Sequence, residues 1–334
     1  MKKVSLADIS KELGVSKTLV SFVMNGRAKE KRINDEVAEK VLAKAKELGY
    51  KADYLARAMR TGKSQTIGLV MADISNTFFS KLARSIENEA AEHGYNVIFG
   101  SSDENHRKSG KLIDVFKDKR VDGLIICPTI GDITHIKKLN KERYPYVLVD
   151  RYFNEVSSNH VVVDNYNGSF KIVEDQIQMG RKRIAFVNFN VELINMTERF
   201  NGYIDALKSY GYKYDSSIVK NVSFKNIEKE TYLAMKELMK ITPKIDTIYF
   251  SNNRLAFLGI KYLFENNTIN FKKLKLASFD NYEFMHLLQV PIKFGVQPIE
   301  ELGKSAVDSI MKQINEESGG VEHVKLPLDI SFLN

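Results

Sequence analysis

The sequence predicts a small all-α headpiece followed by an α/β body of two lobes. Three observations carry that prediction. Two short helical patterns meet across a two-residue turn near the start of the chain; the excess positive charge is confined to its first fifth; and from Gln65 onward, apolar β-rich runs alternate with helical stretches in two successive series. At 334 residues the chain exceeds one compact domain, so two or three folding units are expected.

Met1 to Lys63 carry 15 Lys and Arg against 8 Asp and Glu, and the remaining residues carry 35 against 34. A small basic module on a near-neutral body is the footprint of nucleic-acid binding. A solvated basic surface would give the same count, so the decision falls to the patterns. Cys127 is the single cysteine, which excludes an intramolecular disulfide and any CxxC site and fits a reducing compartment. In MKKVSLADISK, Asp8 and Lys11 interrupt what would be the apolar run of a secretory signal, and no stretch reaches transmembrane length, so a cytoplasmic protein is expected.

Ser5 caps a first helix, Asp8 three positions on completes a capping box, and Leu6, Ile9 and Leu13 form the apolar stripe that ends at Gly14. Ser16 caps a second helix so soon afterwards that the two must turn sharply against each other, a helix-turn-helix signature. A third helix starts near Asn34, with Val37, Val41, Ala45 and Leu48 as its stripe and Gly49 at its end. In the second helix, VSKTLVSFVMNG (Val15–Gly26), a step of about 100° per residue puts Leu19, Val20 and Val23 inward and Lys17, Thr18, Ser21 and Phe22 outward. A long cationic donor, hydroxyls and an apolar tip are what a major-groove reader needs. Phe22 also fits burial under the third helix, and Lys17 simple exposure.

From Ala52 to Arg60, Leu55 and Met59 lie four apart among Arg57, Arg60 and Lys63, enough for one or two turns of basic amphipathic helix that is too short to stand alone in water. A plain linker is the alternative. Thr61-Gly62-Lys63-Ser64 ends like a phosphate-binding loop, but Arg57 sits where that motif needs glycine and the segment precedes its strand, so the nucleotide reading fails.

In the body, TIGLVMAD, YNVIFG, DGLIICP and YVLVD read as strands of one parallel sheet, and HVVVD, RIAFVNF, DTIYFS and KLKLASFD as a second. Ligands bind beyond the carboxyl ends of such strands, so two facing sheets create a cleft. The residues there are polar and aromatic: Asp73, Asn76 and Phe78; Ser101 and Asp103; Asp150 and Arg151; Asn252 and Asn253; Asp280, Asn281 and Tyr282. Carboxylates, amides, a guanidinium fork and aromatic faces suit a small polyhydroxylated ligand, although each residue alone can also cap a helix or shape a turn.

VSKTLVSFVMNG, ELGYKADYLARAMRTGKSQTIGLV, ISNTFFSKLARSIENEAAEHGYNVIFGSSD, KRVDGLIICP, MGRKRIAFVNF, ERFNGYIDAL, FSNNRLAFLGI and ASFDN occur in that order, so that the chain resembles the lactose-repressor/galactose-repressor (LacI/GalR) family of bacterial transcription regulators over nearly its whole length. The resemblance implies a periplasmic-binding-protein-like body of two parallel sheets joined by three crossovers, with Val296 to Pro298 as a late return. It implies that Lys17, Thr18 and Phe22 read operator bases, and that the segment after Tyr50 is a hinge helix whose Met59 wedges into the minor groove.

The expected DNA-binding set is Ser5, Ser16, Lys17, Thr18, Ser21, Phe22, Asn25, Leu55, Arg57 and Met59. The expected effector-binding set is Phe78, Asp103, Asp150, Arg151, Asn195, Arg199, Asn253 and Asp280, with Arg199 gripping the effector. Asn253 stands where the family usually has aspartate, which removes a carboxylate and leaves room for an anionic ligand. The expected boundaries are 1–50 for the DNA-binding headpiece, 51–63 for the hinge and 64–334 for the effector-binding and dimerisation domain. Within the last, the first lobe takes about 64–164 plus 293–322 and the second about 165–292 plus 323–334.

The six histidines show no metal-ligand spacing, and no nucleophile elbow or dinucleotide fingerprint is present, so neither metal, cofactor nor catalytic residue is expected. The expected partners are a pseudo-palindromic double-stranded DNA operator, a small sugar-like effector and a second copy of the chain, as a homodimer or a tetramer, with no membrane. The competing reading is a cytoplasmic sugar-binding protein or sugar-modifying enzyme with an incidental basic N-terminus. The charge split and the ordered helix-turn-helix argue against it.

Overall fold

Each helix of the N-terminal unit begins where a side chain can cap it. In the computed structural model, which describes residues 4–50, 62–266, 273–282, 285, 291–317 and 319–333, helix α1 spans Leu6–Leu13, α2 Lys17–Met24 and α3 Asp35–Glu47. Ser5 and Asp8 form the reciprocal capping box, with the Ser5 N–H donating to the Asp8 carboxylate at 2.8 Å and the Asp8 N–H to Ser5 Oγ at 3.3 Å. Gly14 stops α1 at φ 65°, a left-handed conformation that costs other residues, and the Leu19 N–H then donates to Ser16 Oγ at 3.1 Å to start α2.

Ile9, Val20, Val23, Ala38, Val41 and Ala45 are the buried core of this unit, and Leu6, Leu13, Leu19, Leu48 and Tyr50 pack against it. Ala38 rather than Val37 centres the stripe of α3, because Val37 is only half-buried. Residues 51–61, including Leu55, Arg57 and Met59, lie outside the described residues.

The chain divides at Ser64, and residues 65–334 form the second unit. Its first sheet contains β1 (Thr66–Met71), β2 (Asn96–Ser101), β3 (Gly123–Ile126), β4 (Tyr146–Val149), β5 (His160–Val163) and β11 (His323–Leu326), ordered β11-β5-β4-β3-β1-β2 and parallel throughout. The second contains β6 (Ile184–Phe189), β7 (Val219–Val222), β8 (Thr247–Phe250), β9 (Lys275–Ser278), β10 (Ile292–Val296) and β12 (Asp329–Leu333), ordered β12-β10-β9-β8-β6-β7, with only β12 antiparallel.

Helices α4 (Thr77–Glu92), α5 (His106–Asp118), α6 (Ile133–Glu142) and α11 (Ile299–Ile314) belong to the first lobe, and α7 (Asn165–Gln178), α8 (Ile194–Ser209), α9 (Ile227–Leu238) and α10 (Asn253–Glu265) to the second. The interior strands are buried along their length because helices cover both faces, the burial expected of parallel sheets.

The chain crosses between the lobes three times, after β5, after β10 and between β11 and β12. Two expectations are corrected here. His160–Val163 joins the first sheet rather than the second series, and β10 and β11 lie in the opposite lobes from those given by the 293–322 and 323–334 boundaries. Ile292–Val296 pairs beside Leu276–Ser278, and His323–Leu326 extends the first sheet at its β5 edge; short apolar runs carry no signal of which sheet they will join. Leu328, in the last crossing, packs where Gly168 and Gly295 have no side chain. A Cβ at either glycine would come within 2.7 Å and 2.5 Å of its methyl groups, so these glycines let the crossing segments pack closely.

Candidate DNA-reading face and effector cleft

On α2, Lys17 and Thr18 are exposed, and Ser21 and Phe22 are half-buried beside them. Ser5 and Ser16 are exposed but already committed as helix caps, and Asn25, the C-cap of α2, turns its amide back onto Ser21. The ring of Phe22 does not disappear under α3. It lies between two cations, 5.7 Å from the Arg27 guanidinium carbon and 5.5 Å from Lys31 Nζ. Arg27 in turn forks onto Glu30 at 2.7 and 2.6 Å, and Arg27 and Lys31 hold the Glu30 carboxyl down at about 2. The outcome is one exposed patch of cation, hydroxyl and aromatic edge.

In the second unit the loops after β1, β4, β6 and β8 face one another across a small cavity of about 40 Å³. Asp150 ends β4 with φ 68°, a left-handed turn that Asp tolerates. The turn carries Arg151 inward, where both terminal nitrogens donate to Glu104 at 2.8 Å and one also to the Pro128 carbonyl at 3.2 Å. Asp150 Oδ2 accepts from Asn195 Nδ2 at 3.3 Å, a contact between the lobes. Burial pushes the Asp150 carboxyl above its usual range, against the pull of Arg151 and Arg199.

Arg199 is 2% exposed; its Nε donates to Asn165 at 2.8 Å and one terminal nitrogen to the Ser251 carbonyl at 2.7 Å. Its plane stacks 3.6 Å from the Phe279 centroid, and Asp280 lies 3.8 Å away. Asp280 accepts from the Asn253 N–H at 2.9 Å and from Gln297 Nε2 at 2.5 Å.

Of the expected effector residues, Phe78, Asp150, Arg151, Asn195, Arg199 and Asp280 line this cavity together. Asp103 does not, and Asn253 lines instead two adjoining pockets of the cleft, one with Asp73, Asn76 and Arg254 and one with Phe78, Asp280 and Gln297; each has a physical reason. Asp103 and Glu104 both sit at positive φ, so the turn sends Asp103 out to Ser101 and Lys108 and Glu104 in to Arg151. Asn252 caps α10 and lines the cavity, while Asn253 opens the helix and faces Asn76 of the other lobe.

Sequence reasoning missed Phe79, Glu104, Phe189, Met196, Phe224, Arg254 and Gln297. Phe189 and Phe224 form a stacked wall with centroids 4.0 Å apart, and Phe224 comes from a short 3-10 turn with no motif to announce it. Arg254 and Asp73 make an exposed ion pair at 3.3 Å across the mouth. Among the described residues, Glu89, His93 and Asp308 bring potential metal-ligand atoms together, and Lys304 already pairs with both carboxylates, at 3.4 and 3.3 Å. No described helix is long and apolar enough to cross a membrane.

Two facing parallel sheets with a polar cleft at their carboxyl ends define a two-lobed ligand-binding domain, here in one chain with a helix-turn-helix unit. Residues 64–333 match the family model described as periplasmic binding proteins and sugar binding domain of the LacI family. The catabolite control protein A of Priestia megaterium is 31% identical over 334 residues, covering 98% of each chain. A ribose operon repressor of Bacillus subtilis is 27% identical, covering 97% of this chain and 96% of its own. The fold matches the lac repressor dimer bound to operator and the anti-inducer ONPF, with a TM-score of 0.87, 18% identity and 99% of each chain covered. It also matches a CelR–cellobiose complex, with a TM-score of 0.72, 21% identity and 98% of each chain covered. The chain belongs to the LacI/GalR family of transcriptional regulators; it is a regulator and not an enzyme.

Proposed function

We propose that the chain is a sequence-specific repressor whose operator affinity is set by a small sugar or sugar derivative in the interlobe cleft. The observation that carries this reading is the cavity itself, where paired charges, a stacked aromatic wall and inward-facing amides and carboxylates meet at the ends of two sheets. A relative named for a ribose operon and a fold neighbour solved with cellobiose belong to the ligand class that this chemistry fits. Lys17, Thr18, Ser21 and Phe22 supply the base-reading face, and a cytoplasmic location goes with that role.

A homodimer on a pseudo-palindromic operator follows from the weakness of one short helix in one groove, since a second half-site multiplies affinity. Apolar side chains that a second copy would cover are present: Phe99 on β2 is 60% exposed, and Phe257 and Phe264 on α10 are 39% and 43% exposed. Sedimentation equilibrium separates monomer, dimer and tetramer.

The ligand reading is tested by thermal shift with sugars, sugar phosphates and nucleobases, because a ligand bound only by the folded state raises its stability by about 2.7 kcal/mol at a hundred times its Kd. Stabilisation by at least one sugar is expected. Stabilisation by nucleobases alone would overturn the sugar reading.

A further inference from the structure

We infer that the cleft selects an uncharged polyhydroxylated ligand and rejects its phosphorylated and acidic derivatives. This rests on the reading of the cleft as a sugar site and narrows it.

The argument is one of charge and of unused hydrogen-bonding capacity. Four carboxylates line the cavity, Asp73, Glu104, Asp150 and Asp280, against the guanidinium groups of Arg151, Arg199 and Arg254. Each guanidinium already has an acid beside it: Arg151 is forked onto Glu104 at 2.8 Å, Arg254 is 3.3 Å from Asp73, and Arg199 is 3.8 Å from Asp280. Asp150, 5% exposed at the cavity wall, is the fourth acid and shares Arg151, whose Nε lies 3.3 Å from its Oδ2. An anion entering here would meet no uncommitted positive charge and would lie beside a buried carboxyl, in surroundings where like charges repel strongly.

The unfilled capacity points the same way. One carboxylate oxygen of Asp150 and the buried Gln297 Oε1 are acceptors without a hydrogen-bond partner among the described residues, and the buried Arg151 Nε, the second terminal nitrogen of Arg199 and the Asn252 side-chain N–H are donors without one. Acceptors and donors side by side match hydroxyl groups, each of which both donates and accepts. A phosphate offers only acceptors at neutral pH, so it would leave Asp150 and Gln297 facing oxygen.

The test is isothermal titration of the full chain with matched pairs: D-ribose and D-ribose 5-phosphate, D-glucose and D-glucose 6-phosphate, D-galactose and D-galacturonate, and cellobiose and cellobionate. In every pair that binds, the neutral member should bind at least about tenfold more tightly, and Asp150→Asn should narrow that gap. A charged member that binds more tightly than its neutral parent overturns the inference and leaves the sugar-sensor reading standing. Binding of neither member in any pair overturns the sugar-sensor reading, and the inference with it. An equal gap in Asp150→Asn, with that variant's folding verified by circular dichroism, overturns the role of the Asp150 charge.

Discussion

Asn76, at the start of α4, and Asn253, at the start of α10, exchange side-chain hydrogen bonds across the cleft, at 2.9 Å from Asn253 to Asn76 and 3.4 Å in return. Both amides are neutral, so the pair closes the lobes without a charge to desolvate, and the Asn253 N–H on the same residue anchors Asp280. Asn253→Ala should remove roughly 1–2 kcal/mol from the closed arrangement. Small-angle scattering of the variant should give a larger radius of gyration than that of the native chain, and an unchanged radius would show that other contacts suffice.

Arg199 both faces the cavity and holds the second lobe together through Asn165, Ser251 and Phe279. Arg199→Ala should therefore cost roughly 3–5 kcal/mol of stability, because it leaves buried partners unmatched. Arg199→Lys keeps the charge but loses the planar fork and the stacking. Chemical denaturation should place the lysine variant nearer the native protein than the alanine variant, with ligand response reduced in both.

His160 supplies a pH dependence. Its ring is stacked between Tyr152 and His323, with centroids at 4.2 and 4.1 Å, and burial above all, then His323, lowers its pKa from 6.5 to about 4. Between those two values the unfolded chain binds the proton and the folded chain does not. Stability present above pH 6.5 is consequently lost as the pH falls towards 4, by up to roughly 3 kcal/mol. Urea midpoints measured across this interval should fall steeply for the native chain and less steeply for His160→Phe.

Lys17 is exposed and the α2 cap belongs to Ser16, so Lys17→Ala should leave the helix folded. Fluorescence anisotropy against salt should then show either a relaxed base preference or a log–log slope shallower by about one. No change in either quantity would return Lys17 to the solvated surface.

The headpiece was legible because its signals are local: Ser5 with Asp8, Gly14 and Ser16 each act within one turn of helix. The cleft was legible at Asp150, Arg199 and Asp280, where a polar residue follows an apolar run or stands in the ERFNGY motif. It was less legible one residue away, since choosing between Asp103 and Glu104, or between Asn252 and Asn253, depends on turn dihedrals and helix phase that residue type does not encode. Phe224 and Gln297 reach the cavity only through tertiary folding, as does the pairing that puts β10 and β11 in opposite lobes.

The central claim is that one site controls the other, and thermodynamic linkage makes it measurable. The ligand found by titration should change operator affinity by some factor, and bound operator should change ligand affinity by the same factor, typically 5–150-fold for such couplings. Equal factors in the two directions, measured on the full chain at one salt concentration, are the predicted result. Operator affinity that is unchanged at saturating ligand would contradict the account.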